Sequence, residues 1–279
     1  PLSNESIESI YKSIMSNCRA LEKQIAVAFL GPLGTFSEEA SMKQFGESIV
    51  SMQTSSIDEV FHLVESHKAH YGVVPVENST EGAINRTLDL LLTSNTLICA
   101  EIILPVHHNL ISNEKDLSGI KKIYSHTQSL SQCHQWLVHH APGIELQSVS
   151  SNAEAVKIAS KEKGAAAIAS MRAAALFNTP VLTENIEDDP KNSTRFLVIS
   201  NHEVKPSGLD KTSIIVAAKN QPGAIALMIE PFAKNKVSMS KLESRPSKTG
   251  LWEYVFFIDV EGHLTYSKVA ASLKEIESK

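Results

Sequence analysis

Apolar and polar positions alternate along this chain in short blocks, and the period changes from block to block. Over residues 1–24, Ile7, Ile10, Tyr11, Ile14, Met15, Cys18 and Leu21 recur at helical spacing, which predicts one amphipathic helix capped by Ser3 or Asn4. Such a helix cannot bury its stripe alone and must dock on the rest of the protein or on a partner. From residue 25 onward short apolar runs take over. They predict strands at 25–30, 71–76, 97–103, 123–124, 144–149, 165–169 and 196–199. Helices are predicted from near 38, at 56–65, 82–92, 130–138, 152–161 and 171–177. The alternation predicts α/β layers on mostly parallel sheets. After a linker at 201–209 the pattern restarts as β-α-β-β-α, over 212–218, 223–233, 237–242, 252–260 and 266–276. That is one strand short of a ferredoxin-like unit.

Composition narrows the classes. A length of 279 residues suggests about two domains. A net charge of −5 leaves no dominant basic surface and argues against nucleic acid as a partner. No apolar run approaches the roughly 20 residues that span a bilayer, and the polar first 24 residues are no signal peptide. Cys18, Cys99 and Cys133 are odd in number and widely spaced, which fits a reducing cytoplasm better than a disulfide framework. The sequence opens on Pro1 rather than Met, which points to a processed or cut N-terminus.

Two polar stretches sit at the ends of apolar runs, where α/β proteins bind substrates. The run Val73-Val74-Pro75-Val76 stops at Glu77, Asn78, Ser79 and Thr80, and Asn192-Ser193-Thr194-Arg195 leads into Phe196. Taken singly, each residue has an ordinary reading. Thr194 can act on a leaving oxygen or cap a turn. Arg195 can grip a carboxylate bidentately or make a weak surface pair. Residues 77–80 can line a cleft or cap the next helix. The Gly31–Ser37 turn, with Thr35, offers N–H groups to a carboxylate or phosphate, yet it lacks both the P-loop ending and the third glycine of a dinucleotide fingerprint. Ser125, His126, Gln128 and Gln132 run from a strand into a helix, with His126 read as a solvated helix start. His62, His67 and His70 lack metal-ligand spacing, and neither His107-His108 nor His139-His140 makes a ligand pair. Cys133 reads as packing. Near the end, Asn220, Pro222, Gly223, Ala224 and Ile225, with Glu243, Ser244, Arg245 and Pro246, form either an amino-acid site or an ordinary turn and ion pair.

The ordered set of motifs is more specific than any member. GPLGTFSEEA at 31–40, VPVENSTEGAINRTLDLL at 74–91, SHTQSLSQCHQWL at 125–137, AAIAS at 166–170 and NSTRFLVI at 192–199 resemble successive blocks of the prephenate dehydratase family. KTSIIVAAKNQPGAIALMI at 211–229 and ESRPSKTGLWEYVFFIDVEGH at 243–263 resemble its C-terminal ACT domain. The resemblance implies an α/β fold: a two-lobed catalytic domain of the periplasmic-binding-protein type (type II), then a ferredoxin-like α+β ACT domain. The implied catalytic domain covers 25–205, with one lobe at about 25–102 and 182–205 and the other at about 103–181. The ACT domain covers 206–279.

The resemblance also implies chemistry. Prephenate loses its ring hydroxyl as water and its ring carboxylate as carbon dioxide, giving phenylpyruvate. Thr194 acts on the leaving hydroxyl as a hydrogen-bond donor or as part of a relay, with Asn78, Ser125 and Gln132 as catalytic companions. Glu77, Ser79, Thr35, Arg195 and Phe196 bind substrate. Phenylalanine binds the ACT positions named above as effector. No metal or organic cofactor is implied. A homodimer or homotetramer in the cytoplasm is.

Residues 9–22 resemble the last helix of the chorismate mutase fused ahead of the dehydratase in bifunctional enzymes. The 1–24 helix is thus expected to be a remnant of that domain, without mutase activity of its own. The C-terminus looks cut as well, which is expected to weaken feedback. Thr127 and Ile225 depart from the family's usual proline and leucine. Two other readings stay open: an arogenate dehydratase, and a non-catalytic amino-acid sensor, which would not need Thr194.

Overall fold

The computed structural model describes residues 2–218, 221–247 and 254–278. The chain divides into two compact units, Pro1–Glu203 and Val204–Lys279.

The first unit opens with α1 (Asn4–Glu22). It docks through polar side chains: Ser16 is buried and its Oγ accepts from Ser48 N–H at 3.3 Å, while Ser48 Oγ donates to Asn17 Oδ1 at 2.8 Å. The apolar stripe that predicted the helix faces outward instead. Ile7, Ile10, Tyr11, Ile14, Met15 and Leu21 are all exposed.

Two lobes follow. The first holds β1 (Ala26–Leu30), α2 (Phe36–Phe45), β2 (Val50–Thr54), α3 (Ile57–Glu65), β3 (Tyr71–Asn78), β4 (Gly82–Ala83), α4 (Asn85–Thr93) and β5 (Leu97–Pro105). The second holds β6 (Asn109–Ser112), β7 (Lys122–Ser125), α5 (Thr127–Gln132), α6 (His134–His140), β8 (Glu145–Ser148), α7 (Asn152–Ala159), β9 (Ala165–Ala169), α8 (Met171–Leu176) and β10 (Val181–Thr183). The chain then returns to the first lobe as β11 (Ser193–Ser200). Strand orders are β2-β1-β3-β11-β5, with β4 beside β3, and β10-β6-β9-β7-β8.

Both sheets are mixed rather than mostly parallel. β1 runs parallel to β2 and β3, but β11 is antiparallel to β3 and β5. In the second lobe β7 is parallel to β8 and β9, while β6 is antiparallel to β9 and β10. The cause is the double crossing between lobes. A strand that enters from the other lobe, such as β11, is not delivered by a helical crossover, so nothing forces it parallel.

Each sheet is packed on both faces. Val27, Phe29, Val73, Ile102, Leu104, Phe196 and Val198 meet Ala40 of α2 in the first lobe. In the second, alanines of β9 meet Ala155, Val156 and Ala159 of α7, and small side chains let helix and sheet approach closely. The helix expected over 130–138 is divided at Cys133. Asp188 divides it: its N–H takes the carbonyl of Gln132 at 2.8 Å, and its carboxylate accepts from Gln135 and Trp136 N–H at 3.0 and 3.2 Å. That carboxylate caps the first turn of α6.

The second unit holds β12 (Lys211–Ala218), α9 (Ala224–Lys234), β13 (Met239–Pro246), β14 (Tyr254–Glu261) and α10 (Ser267–Glu277). Its antiparallel sheet runs β12-β14-β13, and Phe256, Ile258 and Val260 pack against Met228, Phe232 and Val269 of the helices. This is the β-α-β-β-α order read from the pattern, although positions 252–253 of the expected last strand lie outside the described residues.

Candidate functional site

The site grows from an irregularity in strand pairing. Thr194 and Arg195 of β11 face Asn78 and Glu77 of β3, but the next pair is Phe196 with Pro75, so β3 carries one residue more than β11. A bulge of this kind shifts the alternation of side chains on one strand. Here it brings Asn78 onto the same face as Thr194, and Asn78 Nδ2 lies 3.0 Å from Thr194 Oγ1.

The orientation of the Asn78 amide is fixed by its other end. Its Oδ1 accepts from Thr80 N–H at 3.1 Å, Thr80 Oγ1 at 2.6 Å and Glu81 N–H at 3.2 Å. With three donors on the oxygen, the amide nitrogen must face Thr194 and Asn192, whose Oδ1 it meets at 2.9 Å. Asn192 in turn gives its Nδ2 to Gln132 Oε1 at 3.2 Å. Gln132 Oε1 also receives His108 Nε2 at 2.8 Å, and Gln132 Nε2 reaches Glu81 Oε1 at 3.1 Å. A hydrogen-bond network thus links His108 and Gln132 in the second lobe to Asn192, Asn78 and Thr194 in the first: His108 and Asn192 both donate to Gln132 Oε1, and Asn78 donates to both Asn192 and Thr194. Asn78 and Asn192 are buried, whereas Thr194 and Gln132 keep partial access to solvent.

The crossings between the lobes hold this network in place. Val106 N–H donates to Asn192 carbonyl at 2.9 Å, and Ile186 N–H to His108 carbonyl at 2.8 Å. Glu187 accepts from His108 N–H at 2.9 Å and pairs with His107 Nδ1 at 2.7 Å. His108 is 1% exposed, stands edge-on to Phe36 at 5.8 Å, and burial pushes its pKa below the usual histidine value.

Other expected residues stand elsewhere. Ser79 extends the β3–β11 pairing, its N–H on Ser193 carbonyl and its Oγ accepting from Ser193 N–H at 3.0 Å. Arg195 faces away from Thr194, as alternation requires, and its Nε donates to Glu101 Oε2 at 2.9 Å. Its position opposite Glu77 places both on the sheet's other face. Phe196, expected to touch substrate, is 2% exposed in the core of the first lobe, where its size is used for packing. Ser125 is fully buried and its hydroxyl is committed to Asn152 Oδ1 and Ile168 carbonyl, at 3.0 and 2.8 Å. Thr35 gives its hydroxyl to Leu30 carbonyl at 3.2 Å and makes no side-chain cap to α2.

Beside Thr35, the buried carboxylate of Glu38 accepts Gly34 N–H at 2.5 Å and Arg172 Nη2 at 3.1 Å, tying the first lobe to α8 of the second.

In the second unit, Gly223 takes a left-handed conformation (φ 83°) just before α9, where Ala224 and Ile225 form the first turn after Pro222. Glu243 and Arg245 share one face of β13, with Ser244 and Pro246 on the other. Asn220 lies outside the described residues.

Sequence reasoning missed His108 and Asn192. Asn192 was legible as the first letter of the stretch that contains Thr194. His108 carried no sign, because a histidine pair between two strands reads the same whether buried or solvated. Among the described residues no group of three or more His, Cys, Asp or Glu is arranged to hold a metal, and no helix is long and apolar enough to cross a membrane.

Comparison with known proteins gives the arrangement its context. Residues 27–204 match the family model for prephenate dehydratase, and residues 212–278 that for the ACT domain. A bifunctional chorismate mutase/prephenate dehydratase of Pseudomonas aeruginosa is 50% identical over 264 residues, covering 94% of this chain and 72% of the relative. A prephenate dehydratase of Methanocaldococcus jannaschii is 36% identical, covering 90% of this chain and 93% of the relative. Among solved structures, prephenate dehydratase of Arthrobacter aurescens in complex with L-Phe superposes with a TM-score of 0.84 at 32% identity, covering 91% of this chain and 86% of that one.

Proposed function

The chain belongs to the prephenate dehydratase family, and from that premise we propose how its residues convert prephenate to phenylpyruvate, water and carbon dioxide. The observation that carries the reading is the 3.0 Å contact in which Asn78 Nδ2 donates to Thr194 Oγ1. A hydroxyl that accepts from an amide turns its own O–H outward. Thr194 is then a hydrogen-bond donor to the ring hydroxyl as its C–O bond breaks.

The reaction balances simply. The C–C bond to the ring carboxylate breaks, its electron pair enters the ring, and the ring expels hydroxide, which takes up one proton from solvent to leave as water. Aromatisation drives both cleavages. The protein has only to hold the diene acid, stabilise charge on the departing oxygen and keep solvent from the carboxylate. A threonine hydroxyl is too weak an acid to supply the proton outright at neutral pH, so its part is electrostatic.

We assign Gln132 and Asn78 to the catalytic network, and Ser79, Thr35 and Glu77 to the substrate's surroundings. Ser125, Phe196 and Arg195 support the site from behind, through the contacts that occupy them. In the second unit, phenylalanine is the proposed effector, bound near the Gly223 turn and the Glu243–Pro246 strand. Support comes from the ACT match and from the relative solved with L-Phe. A homodimer or homotetramer acting in the cytoplasm completes the reading, as does the origin of α1 in a fused mutase.

The test is direct. Purified protein is mixed with prephenate, and phenylpyruvate is followed by absorbance, with arogenate in parallel. Phenylpyruvate from prephenate is expected. Turnover of arogenate alone, or of neither, overturns the reading.

A further inference from the structure

We propose that His108 is a positioning residue for the dehydration: as the Nε2–H tautomer it holds the Gln132 amide so that Asn192 keeps its Oδ1 turned to Asn78, whose amide donates to Thr194. The proposal rests on the donor role given to Thr194 above.

The argument is one of donors and acceptors. Every link between His108 and Thr194 except the last is an amide, and an amide can flip end for end with little change in shape. Asn78 is locked by the three donors on its Oδ1. The lock on Gln132 is divided between a solvent-exposed end and a buried one. Its Oε1 takes Asn192 Nδ2, and its Nε2 contacts Thr80 and Glu81, which are exposed. A flipped Gln132 would aim N–H groups at Asn192, force that amide to turn, and set two NH₂ groups against each other at Asn78. What opposes the flip from the buried side is the imidazole N–H at 2.8 Å, which an amide oxygen satisfies and an amide nitrogen does not; on the exposed side the Glu81 carboxylate, accepting from Nε2 at 3.1 Å, acts in the same sense.

The surroundings of the ring select this tautomer. His108 Nδ1 is buried and has no hydrogen-bond partner among the described residues. A bare lone pair there is tolerable, whereas the other tautomer would bury an unsatisfied N–H and turn a lone pair toward the oxygen of Gln132. Burial also keeps the ring uncharged, in agreement with its lowered pKa. The edge of Phe36 packs on the ring, while Ile186 N–H and the Glu187 carboxylate hold the backbone of His108.

Two measurements decide the matter. Nitrogen-15 NMR of the full chain reads the His108 tautomer without reference to activity: protonation at Nε2 is expected, and protonation at Nδ1 alone overturns the proposal. In kinetics, His108→Phe keeps a ring against Phe36 and removes the donor. It is expected to lower kcat about tenfold or more while KM moves by no more than about twofold. His108→Gln, which restores an N–H, recovers most of that loss. Adding Gln132→Leu to His108→Phe costs little beyond Gln132→Leu alone, because the two act through one link. A full additive loss, or a raised KM at unchanged kcat, overturns the proposal. Should His108→Phe fail to fold, the His108→Gln rates and the NMR still decide. Failure of the broader reading looks different: the unsubstituted protein then leaves prephenate untouched whatever the tautomer.

Discussion

Glu38 and Arg172 form a partly buried tie between the two lobes, with Oε1 to Nη2 at 3.1 Å, while the other carboxylate oxygen takes Gly34 N–H at 2.5 Å. Glu38 is 3% exposed at the side chain and Arg172 is 32% exposed, so the carboxylate bears most of the desolvation. Removing such a partner strands the other charge beside a buried N–H. Glu38→Ala is expected to lower stability by about 2–4 kcal/mol. Glu38→Gln, which keeps an acceptor for Gly34, should cost less. Urea denaturation of the three proteins checks the order, and equal midpoints would refute it.

A side chain at Gly34 would be strained. The glycine's φ is +87°, and a Cβ there would lie 3.3 Å from Ala153, Ala173 and Leu176 of the opposite lobe. Gly34→Ala therefore combines backbone strain with a wedge between lobes, and should destabilise by about 1–3 kcal/mol. A thermal melt within a degree or so of the unsubstituted protein would contradict this.

Thr194 carries the sharpest kinetic expectation. Thr194→Ala should lower kcat about 10³-fold, or ~4 kcal/mol, because the donor acts on charge that develops only as the bond breaks. Thr194→Ser keeps the hydroxyl but loses the methyl that restrains its rotamer, so its loss should be smaller. The two rates are read from prephenate turnover at saturation. Equal rates for Ala and Ser would remove the hydroxyl from the mechanism.

Arg195 stands next to Thr194 in sequence but on the other face of the sheet, paired with Glu101. If it serves β11 rather than the substrate, Arg195→Gln costs about 1–3 kcal/mol of stability and leaves KM for prephenate within about threefold. A KM that rises more than about tenfold at unchanged stability would return the guanidinium to a substrate carboxylate.

This pair also marks what the sequence can and cannot convey. The strand ends at Asn78 and Thr194 were legible, because an apolar run that stops at polar residues places them at the edge of a sheet. Which of two neighbours faces the site was not read, because one extra residue in β3 reverses the alternation; the one sign of it was Pro75, a proline inside a central strand, where proline is found at bulges. The strands β2, β6 and β10 escaped notice for a different reason. Two are edge strands, partly or largely exposed, and β6 is only four residues long. The exposed stripe on α1 shows the reverse case, in which periodicity identifies a helix correctly but not the face that docks.

Stability against pH offers a test of the buried imidazole that needs no substrate. Burial lowers the pKa of His108 from 6.5, with His107 adding to the shift and Gln132 and Glu187 opposing it. In the unfolded chain the ring takes up its proton near its ordinary value of about 6.5. Between the folded pKa and that value, the unfolded state holds more protons, so the free energy of unfolding rises with pH. The contribution is fully present above about pH 6.5 and is lost as pH falls toward the folded value. Glu39 acts with the opposite sign: burial raises its pKa from 4.5, so its proton favours the folded state and that contribution fades as pH rises through the folded value. Comparing the protein with His108→Phe cancels Glu39 and the other shared groups that do not interact with His108. Urea denaturation from about pH 8 down to about pH 5 should cost the unsubstituted protein more stability than His108→Phe. Identical pH slopes would mean that His108 is protonated as readily folded as unfolded, and would overturn the expectation.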